Sequence, residues 1–135
     1  MKAPEKIVVD ASVVLAVVLS EPEKSGIIAA TQGCILLAPG CLPWEVGNAF
    51  SAMLKRRRLG IEDALAGLGI FERIPIQESA VDLKAALKVS LNHGIYAYDA
   101  YYIELAIRGS MSLLTLDERM AEVGIKEGVK VKVVL

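Results

Sequence analysis

Ile7-Val8-Val9-Asp10-Ala11-Ser12 joins an apolar run to the start of a helical pattern without a spacer. A short, continuous run of β-branched residues is typical of a strand that is buried on both faces. Asp10 would then lie at the carboxyl edge of a sheet, where open α/β folds bind their ligands. Asp is also a favoured N-cap, so the segment alone leaves two roles open for this carboxylate.

The composition predicts a single domain that spans residues 1–135 and has a well-filled core. The chain is 54% hydrophobic and carries a formal net charge of −1, and 135 residues suit one domain. No apolar run approaches the roughly 18 residues that a membrane helix requires. Asp10 and Ser12 interrupt the N-terminal apolar segment, which therefore makes a poor signal peptide. We expect a cytoplasmic protein with no membrane association.

Short apolar strands alternate with helical patterns along the chain. This alternation predicts βαβ units and therefore a three-layer α/β/α domain with a mainly parallel central sheet flanked by helices. A capping box at Ser79-x-x-Asp82 is predicted to open one helix, whose apolar face carries Leu83, Leu87 and Leu91. The predicted strands are 7–9, 35–38, 74–76, 112–115 and 129–135, and the other predicted helices are 12–19, 21–31, 43–60, 61–73, 98–108 and 117–123.

Four acids are predicted to meet at the carboxyl edge of this sheet. Two of them follow strands and two lie in the opening turns of helices; they are Asp10, Glu45, Asp99 and Asp117. Each has a structural alternative. Asp99 could complement a helix dipole, and Thr115-x-x-Glu118 could be a capping box in which Asp117 is incidental.

Taken together, these acids indicate a cation site. Four carboxylates about 5 Å apart would repel by roughly 3 kcal/mol per pair at an effective dielectric constant near 20. Oxygen ligands without His or Cys suit Mg²⁺ or Mn²⁺ rather than zinc. The hydroxyls of Ser12 and Thr115 and the amide of Asn48 could orient carboxylates or water. A divalent ion in such a site favours phosphodiester chemistry, because it activates water and offsets phosphate charge.

The ordered motifs resemble a PIN domain, and most closely the VapC-like toxin ribonucleases of toxin–antitoxin pairs. They are Val9-Asp10-Ala11-Ser12, Glu45-x-x-Asn48-Ala49, Tyr98-Asp99-Ala100-x-Tyr102 and Leu114-Thr115-x-Asp117. The resemblance implies that the four acids bind Mg²⁺ or Mn²⁺ and catalyse RNA cleavage. It implies that Ser12 or Thr115 assists and that Asn48 supports the site. It also implies a homodimer and a VapB-like antitoxin whose C-terminal segment covers the active site.

Basic residues provide candidate contacts for RNA. Without the four site acids the net charge of −1 would become +3, so the remaining surface is mildly basic. The densest basic run is Lys55, Arg56, Arg57 and Arg58, which could follow a phosphate backbone or could simply be a solvated helix end. Arg108 and Arg119 are comparable candidates for contact with RNA or an antitoxin, because each lies near a site acid or its helix.

Other side chains favour structural interpretations. Tyr96, Tyr98, Tyr101 and Tyr102 could stack on bases, although packing between helices is the preferred interpretation. Trp44 is expected to be half-buried, and His93 to cap a helix or lie at the surface. Cys34 and Cys41 match neither a CxxC motif nor a zinc spacing, so they are expected to be buried, reduced thiols.

The leading hypothesis is a metal-dependent endoribonuclease. A phosphatase of the haloacid dehalogenase type also places an Asp after the first strand, but that chemistry needs a second Asp at the position of Ser12. A PIN-like module that binds RNA or a protein without cleaving it is the alternative from a different class. A receiver domain fits less well, since no adjacent pair of acids marks the first strand.

Overall fold

Five parallel strands form the sheet of the computed structural model, which describes residues 3–134. The strands lie in the order β3-β2-β1-β4-β5, with β1 at the centre. They are β1 (Lys6–Val9), β2 (Ile35–Pro39), β3 (Ile76–Ser79), β4 (Ser112–Leu114) and β5 (Val131–Lys132). The helices are α1 (Ala11–Val18), α2 (Lys24–Thr31), α3 (Leu42–Lys55), α4 (Ile61–Arg73), α5 (Leu83–His93), α6 (Ala97–Gly109) and α7 (Glu118–Lys126).

Helices cover both faces of the sheet, which confirms the predicted three-layer α/β/α architecture. Alternate residues of a strand point to opposite faces. Val8 accordingly packs into one apolar cluster, while Ile7 and Val9 pack into the other. All three side chains are at most 1% exposed. The apolar run that precedes Asp10 is therefore the central strand of the sheet, buried on both sides.

Three predicted boundaries were wrong because of local backbone geometry. Helix α2 begins at Lys24 rather than at residue 21, because Pro22 lies in the preceding turn. Helix α3 ends at Lys55, and Arg57 then adopts a left-handed conformation with φ 55°. Strand β3 begins at Ile76, after Pro75, and is an edge strand as the proline suggested.

The capping box predicted at Ser79 was wrong, and so was the capping box considered as an alternative at Thr115. Asp82, rather than Ser79, caps α5 by accepting from the backbone N–H of Ala85. Asp117, rather than Thr115, caps α7 by accepting from the backbone N–H of Met120 at 2.9 Å.

The C-terminal parts of the chain show smaller differences. Gly109 belongs to α6, and Ser110 is the left-handed residue that ends it. The last strand is shorter than predicted and covers Val131–Lys132; the predicted terminal residue, Leu135, lies outside the described residues.

Several surface features bear on the predictions. Leu83, Leu87 and Leu91 form an exposed stripe on α5 instead of a core face, with exposed fractions of 60%, 59% and 83%. Cys34 and Cys41 are free thiols that are partly buried. Among residues 3–134, every helix is too short or too polar to span a lipid bilayer.

Candidate active site

Asp10 both caps α1 and lies at the carboxyl end of the central strand. Its Oδ1 accepts hydrogen bonds from the Ser12 hydroxyl at 2.6 Å and from the backbone N–H of Val13 at 3.2 Å. The residue is only 4% exposed. The two roles that the sequence left open therefore coexist, because one oxygen serves the cap while the other faces β4.

Thr115 joins Asp10 to Asp117. Its hydroxyl donates to Oδ2 of Asp10 at 2.5 Å and accepts from the backbone N–H of Asp117 at 3.0 Å. The Ser12 hydroxyl accepts from the backbone N–H of Leu116 at 3.0 Å. Strands β1 and β4 are parallel neighbours, so their ends bring these groups together. The two hydroxyls predicted to orient carboxylates both contact Asp10.

Glu45 lies in the first turn of α3, and two side chains donate to its Oε2. The Tyr102 hydroxyl is 2.6 Å away and the Cys41 thiol is 3.2 Å away. Burial, followed by the contact with Glu45, raises the pKa of the Cys41 thiol to about 12. Burial and the same carboxylate also raise the pKa of Tyr102. Both groups are therefore protonated at neutral pH and able to donate.

Tyr102 and Cys41 are positioning groups that the sequence analysis missed. Tyr102 was assigned to helix packing, and it is fully buried. It follows Asp99 by three residues, which places both on one face of α6. Cys41 precedes Glu45 by four residues, a spacing that also brings side chains together at a helix start. These two spacings were the sequence signals that could have indicated a contact with the site acids.

The electrostatics show that the four acids share one environment. Burial raises the pKa of Asp99, and the charges of Asp117, Glu45 and Asp10 raise it further. Burial also raises the pKa of Asp10, with a smaller contribution from Asp117, while hydrogen bonds from Ser12, Thr115 and Val13 oppose the shift. Asp99 therefore lies within electrostatic range of the other three acids that were predicted to meet.

The donor chemistry of this edge fits a hard divalent cation. Carboxylate oxygens are the ligands that Mg²⁺ and Mn²⁺ prefer. A cation would relieve the charge repulsion that adds to the effect of burial in raising the pKa of Asp99. Within residues 3–134, no group of three or more Asp, Glu, His or Cys side chains is arranged so that it could hold a metal ion. The acids thus offer the right atoms, while their coordination geometry stays a prediction.

A cleft beside the acids runs between α1, α3 and the start of α6. Its volume is about 420 Å³, and we call it the Trp44 cleft; it is lined by Ala11, Leu15, Trp44, Glu45, Asn48, Ala49 and Tyr98. Asn48 shares this wall with Glu45, as their spacing predicted. Trp44 is 78% exposed, so the prediction that it is half-buried was wrong.

The predicted basic contacts lie farther away. Lys55 is ten residues after Glu45 on α3, a rise of about 15 Å along the helix. Lys55, Arg56, Arg57 and Arg58 are all exposed, and their contact with RNA stays a prediction.

Two other arginines that were candidates for RNA contact bind carbonyl and carboxylate groups of this chain. Arg119 donates to the carbonyl of His93 at 2.6 Å and lies 3.4 Å from Glu122. Arg108 lies in the last turn of α6. It pairs with the buried Glu104 and donates to the carbonyl of Ala80.

These observations define a class of protein: an open α/β domain that carries four acids at the carboxyl edge of a parallel sheet. The family model described as PIN domain matches residues 7–126, so the chain belongs to the PIN-domain family. Ribonuclease VapC3 of Pyrobaculum aerophilum is 33% identical over 122 residues, covering 87% of this chain and 93% of the relative. The predicted family resemblance is confirmed.

Solved structures show the same fold. PAE2754 from Pyrobaculum aerophilum matches with a TM-score of 0.68 and 23% identity, over 88% of this chain and 84% of that chain. VapBC2 from Rickettsia felis, solved with a DNA fragment from their promoter, matches with a TM-score of 0.66 and 12% identity. That match covers 94% of this chain and 97% of that chain.

Proposed function

We propose that this protein is a metal-dependent endoribonuclease of the VapC toxin type. The observation that carries the proposal is the electrostatic coupling of Asp99 to Asp10, Glu45 and Asp117 at one edge of the sheet. A relative that matches over 87% of this chain is named a ribonuclease, which supports RNA as the substrate. Like charges gathered at one site favour a role that needs a cation there.

The acids would hold Mg²⁺ or Mn²⁺ while neighbouring groups fix their orientation. When bound, such an ion lowers the pKa of water and offsets charge on the phosphate oxygens. Ser12 and Thr115 hold the Asp10 carboxylate through hydrogen bonds, and Tyr102 holds Glu45. In-line attack of water on phosphorus would break the bond to the 3′ oxygen. The products would carry a 5′-phosphate and a 3′-hydroxyl.

A VapB-like antitoxin and a second copy of this chain are the proposed protein partners. The antitoxin proposal is supported by the structural similarity to VapBC2, whose name joins VapB to VapC. The homodimer is supported by the exposed stripe of Leu83, Leu87 and Leu91 on α5, since large exposed apolar patches mark interaction surfaces. Analytical sedimentation of wild type and of Leu87→Glu tests the homodimer. We expect wild type to sediment as a dimer and Leu87→Glu as a monomer. A monomeric wild type would contradict the proposal.

The decisive experiment compares wild type with Asp10→Asn on RNA in Mg²⁺ and in EDTA. The amide keeps an oxygen that can accept the cap hydrogen bond, so the variant should fold. We expect cleavage only by wild type in Mg²⁺, with 5′-phosphate ends on mapping. Full activity in EDTA or in Asp10→Asn would overturn the proposal. Tight RNA binding without cleavage would identify a binding module instead.

A further inference from the structure

The Trp44 cleft exposes two aromatic rings beside the acids. Trp44 is 78% exposed and Tyr98 is 57% exposed. Tyr98 packs edge-to-face against Tyr101, with ring centroids 5.7 Å apart and planes at 85°. This contact holds the Tyr98 ring in place, so the cleft has an ordered aromatic wall. Exposed aromatic rings of this kind are typical of binding surfaces.

Glu45 connects this cleft to the acid cluster. It lines the cleft together with Trp44, and its charge acts on Asp99. A polymer whose phosphate lies at the acids can therefore extend past Trp44 on that side. The next chemical group along a nucleic-acid strand is a base attached to its sugar. The cleft is thus continuous with the site of proposed cleavage.

The lining matches an unpaired base better than an apolar protein side chain. Aromatic faces stack on any base without sequence preference. Asn48 can both donate and accept hydrogen bonds at a base edge, while Ala11, Leu15 and Ala49 provide apolar contact. The carboxylate of Glu45 in the wall disfavours an apolar side chain. Proteins recognise single-stranded RNA through bases splayed onto aromatic rings, whereas paired bases remain stacked within the duplex.

We propose that the Trp44 cleft receives one unpaired base of the RNA, adjacent to the phosphate held at the acids. The proposal rests on the proposed ribonuclease function and deepens it by assigning one base of the substrate to this cleft. Trp44 and Tyr98 are the stacking residues, and Asn48 contacts the edge of the base.

Trp44 is the only tryptophan in the chain, so its fluorescence reports on the cleft directly. The test uses Asp10→Asn in Mg²⁺, titrated with an eight-nucleotide RNA that spans a bond cleaved by wild type. Binding is followed separately by the anisotropy of labelled RNA. We expect tryptophan emission to be quenched by the single strand and unchanged by the same sequence in a duplex. Intact single-stranded RNA that binds without quenching Trp44 would overturn the proposal.

An abasic scan locates the base. At saturating concentrations, RNAs that lack one base at a time should all bind, the one without the stacked base most weakly, and quenching should be lost only at that position, next to the cleaved bond. Trp44→Ala should raise the Kd for RNA by about 5- to 150-fold, the effect of losing one stacked base. Trp44→Phe should retain most of the affinity, and Ile125→Ala, which removes an exposed side chain from α7, should retain all of it.

The outcomes separate this inference from the proposed function. Absence of RNA cleavage by wild type would overturn the ribonuclease assignment itself. Cleavage with equal kcat/KM in wild type and Trp44→Ala would overturn the base site alone. If Trp44→Ala kept its RNA affinity but no longer co-purified with its antitoxin, the cleft would be a protein-binding site and the proposal would be wrong.

Discussion

The Thr115 hydroxyl donates to Oδ2 of Asp10 at 2.5 Å, across 105 positions of sequence. The same hydroxyl accepts from the backbone N–H of Asp117. One buried oxygen thereby fixes the relative positions of two acids on neighbouring strand ends.

Thr115→Val removes this hydroxyl and keeps the shape of the side chain. The backbone N–H of Asp117 and one oxygen of Asp10 would lose a partner. We expect the free energy of unfolding to fall by about 1–3 kcal/mol in metal-free buffer. Affinity for Mn²⁺ should also fall. Urea denaturation measures the stability and Mn²⁺ titration measures the metal affinity. Thr115→Ser keeps a hydroxyl and should match wild type in both. A valine variant that matches wild type in both would contradict the prediction.

Asp99→Asn should abolish cleavage and stabilise the metal-free protein at neutral pH. The raised pKa of Asp99 means that the folded state binds its proton more tightly than the unfolded state does. The charged form therefore destabilises the fold above the folded pKa. We expect Tm in EDTA to rise by a few degrees near pH 7.

The gain should disappear below the ordinary Asp pKa of 3.8, where Asp99 is protonated in both states. Asp63→Asn, which neutralises an exposed acid in the first turn of α4, serves as the control and should not stabilise. A lower Tm for Asp99→Asn at neutral pH would count against charge repulsion at the site.

Metal affinity should depend on pH because protons compete for the same carboxylates. The pKa values of Asp10 and Asp99 are both raised from 3.8, chiefly by burial. We therefore expect Mn²⁺ affinity to decline on acidification while the pH is still above 3.8, and to recover fully on return to neutrality. Calorimetric titrations with Mn²⁺ at successive pH values measure this affinity. Constant affinity down to about pH 4 would show that these shifts do not govern metal binding.

Tyr102→Phe tests whether the orientation of Glu45 matters. The variant loses the 2.6 Å hydrogen bond to Oε2. Loss of such a supporting group typically weakens metal affinity about 10- to 100-fold. We expect a loss of that size in Mn²⁺ affinity and in kcat/KM. Cys41→Ala should have a smaller effect, since a thiol is a weak donor. Equal effects of the two variants would contradict the dominant role given to Tyr102.

Gly67→Ala and Gly69→Ala should change stability in opposite directions, although both lie in α4. A Cβ at Gly67 would lie 2.8 Å from Cζ of Phe50, whereas a Cβ at Gly69 would meet nothing within 4 Å. We expect the first to destabilise by about 1–3 kcal/mol through overpacking. The second should stabilise by about 0.5–1 kcal/mol through helix propensity. Urea denaturation measures both, and effects of the same sign would contradict this account.

The parts of the fold that could be predicted are those set by local pattern. The apolar run before Asp10 identified the central strand, and the bounds predicted for α4 agree with the structure at both ends. The convergence of four acids followed from parallel topology, since all of them lie where strands end or helices begin. Their catalytic and metal-binding roles remain predictions.

Contacts between distant segments could not be predicted in the same way. Tyr102 reaches Glu45 across 57 positions, and nothing in either segment specifies that α3 and α6 meet at those side chains. The leucines of α5 have the spacing of a buried face, yet no element of the described chain covers them. Whether an apolar stripe is buried depends on its neighbours in space, which periodicity does not reveal.

Asp10 and Asp117 each cap the helix that follows them. A substitution to Ala at either position would remove a carboxylate and fray a helix at once, so loss of activity would be confounded with partial unfolding. The same coupling gives each carboxylate a task that does not depend on a cation: α1 and α7 need an acceptor at these positions whether or not a metal ion is bound.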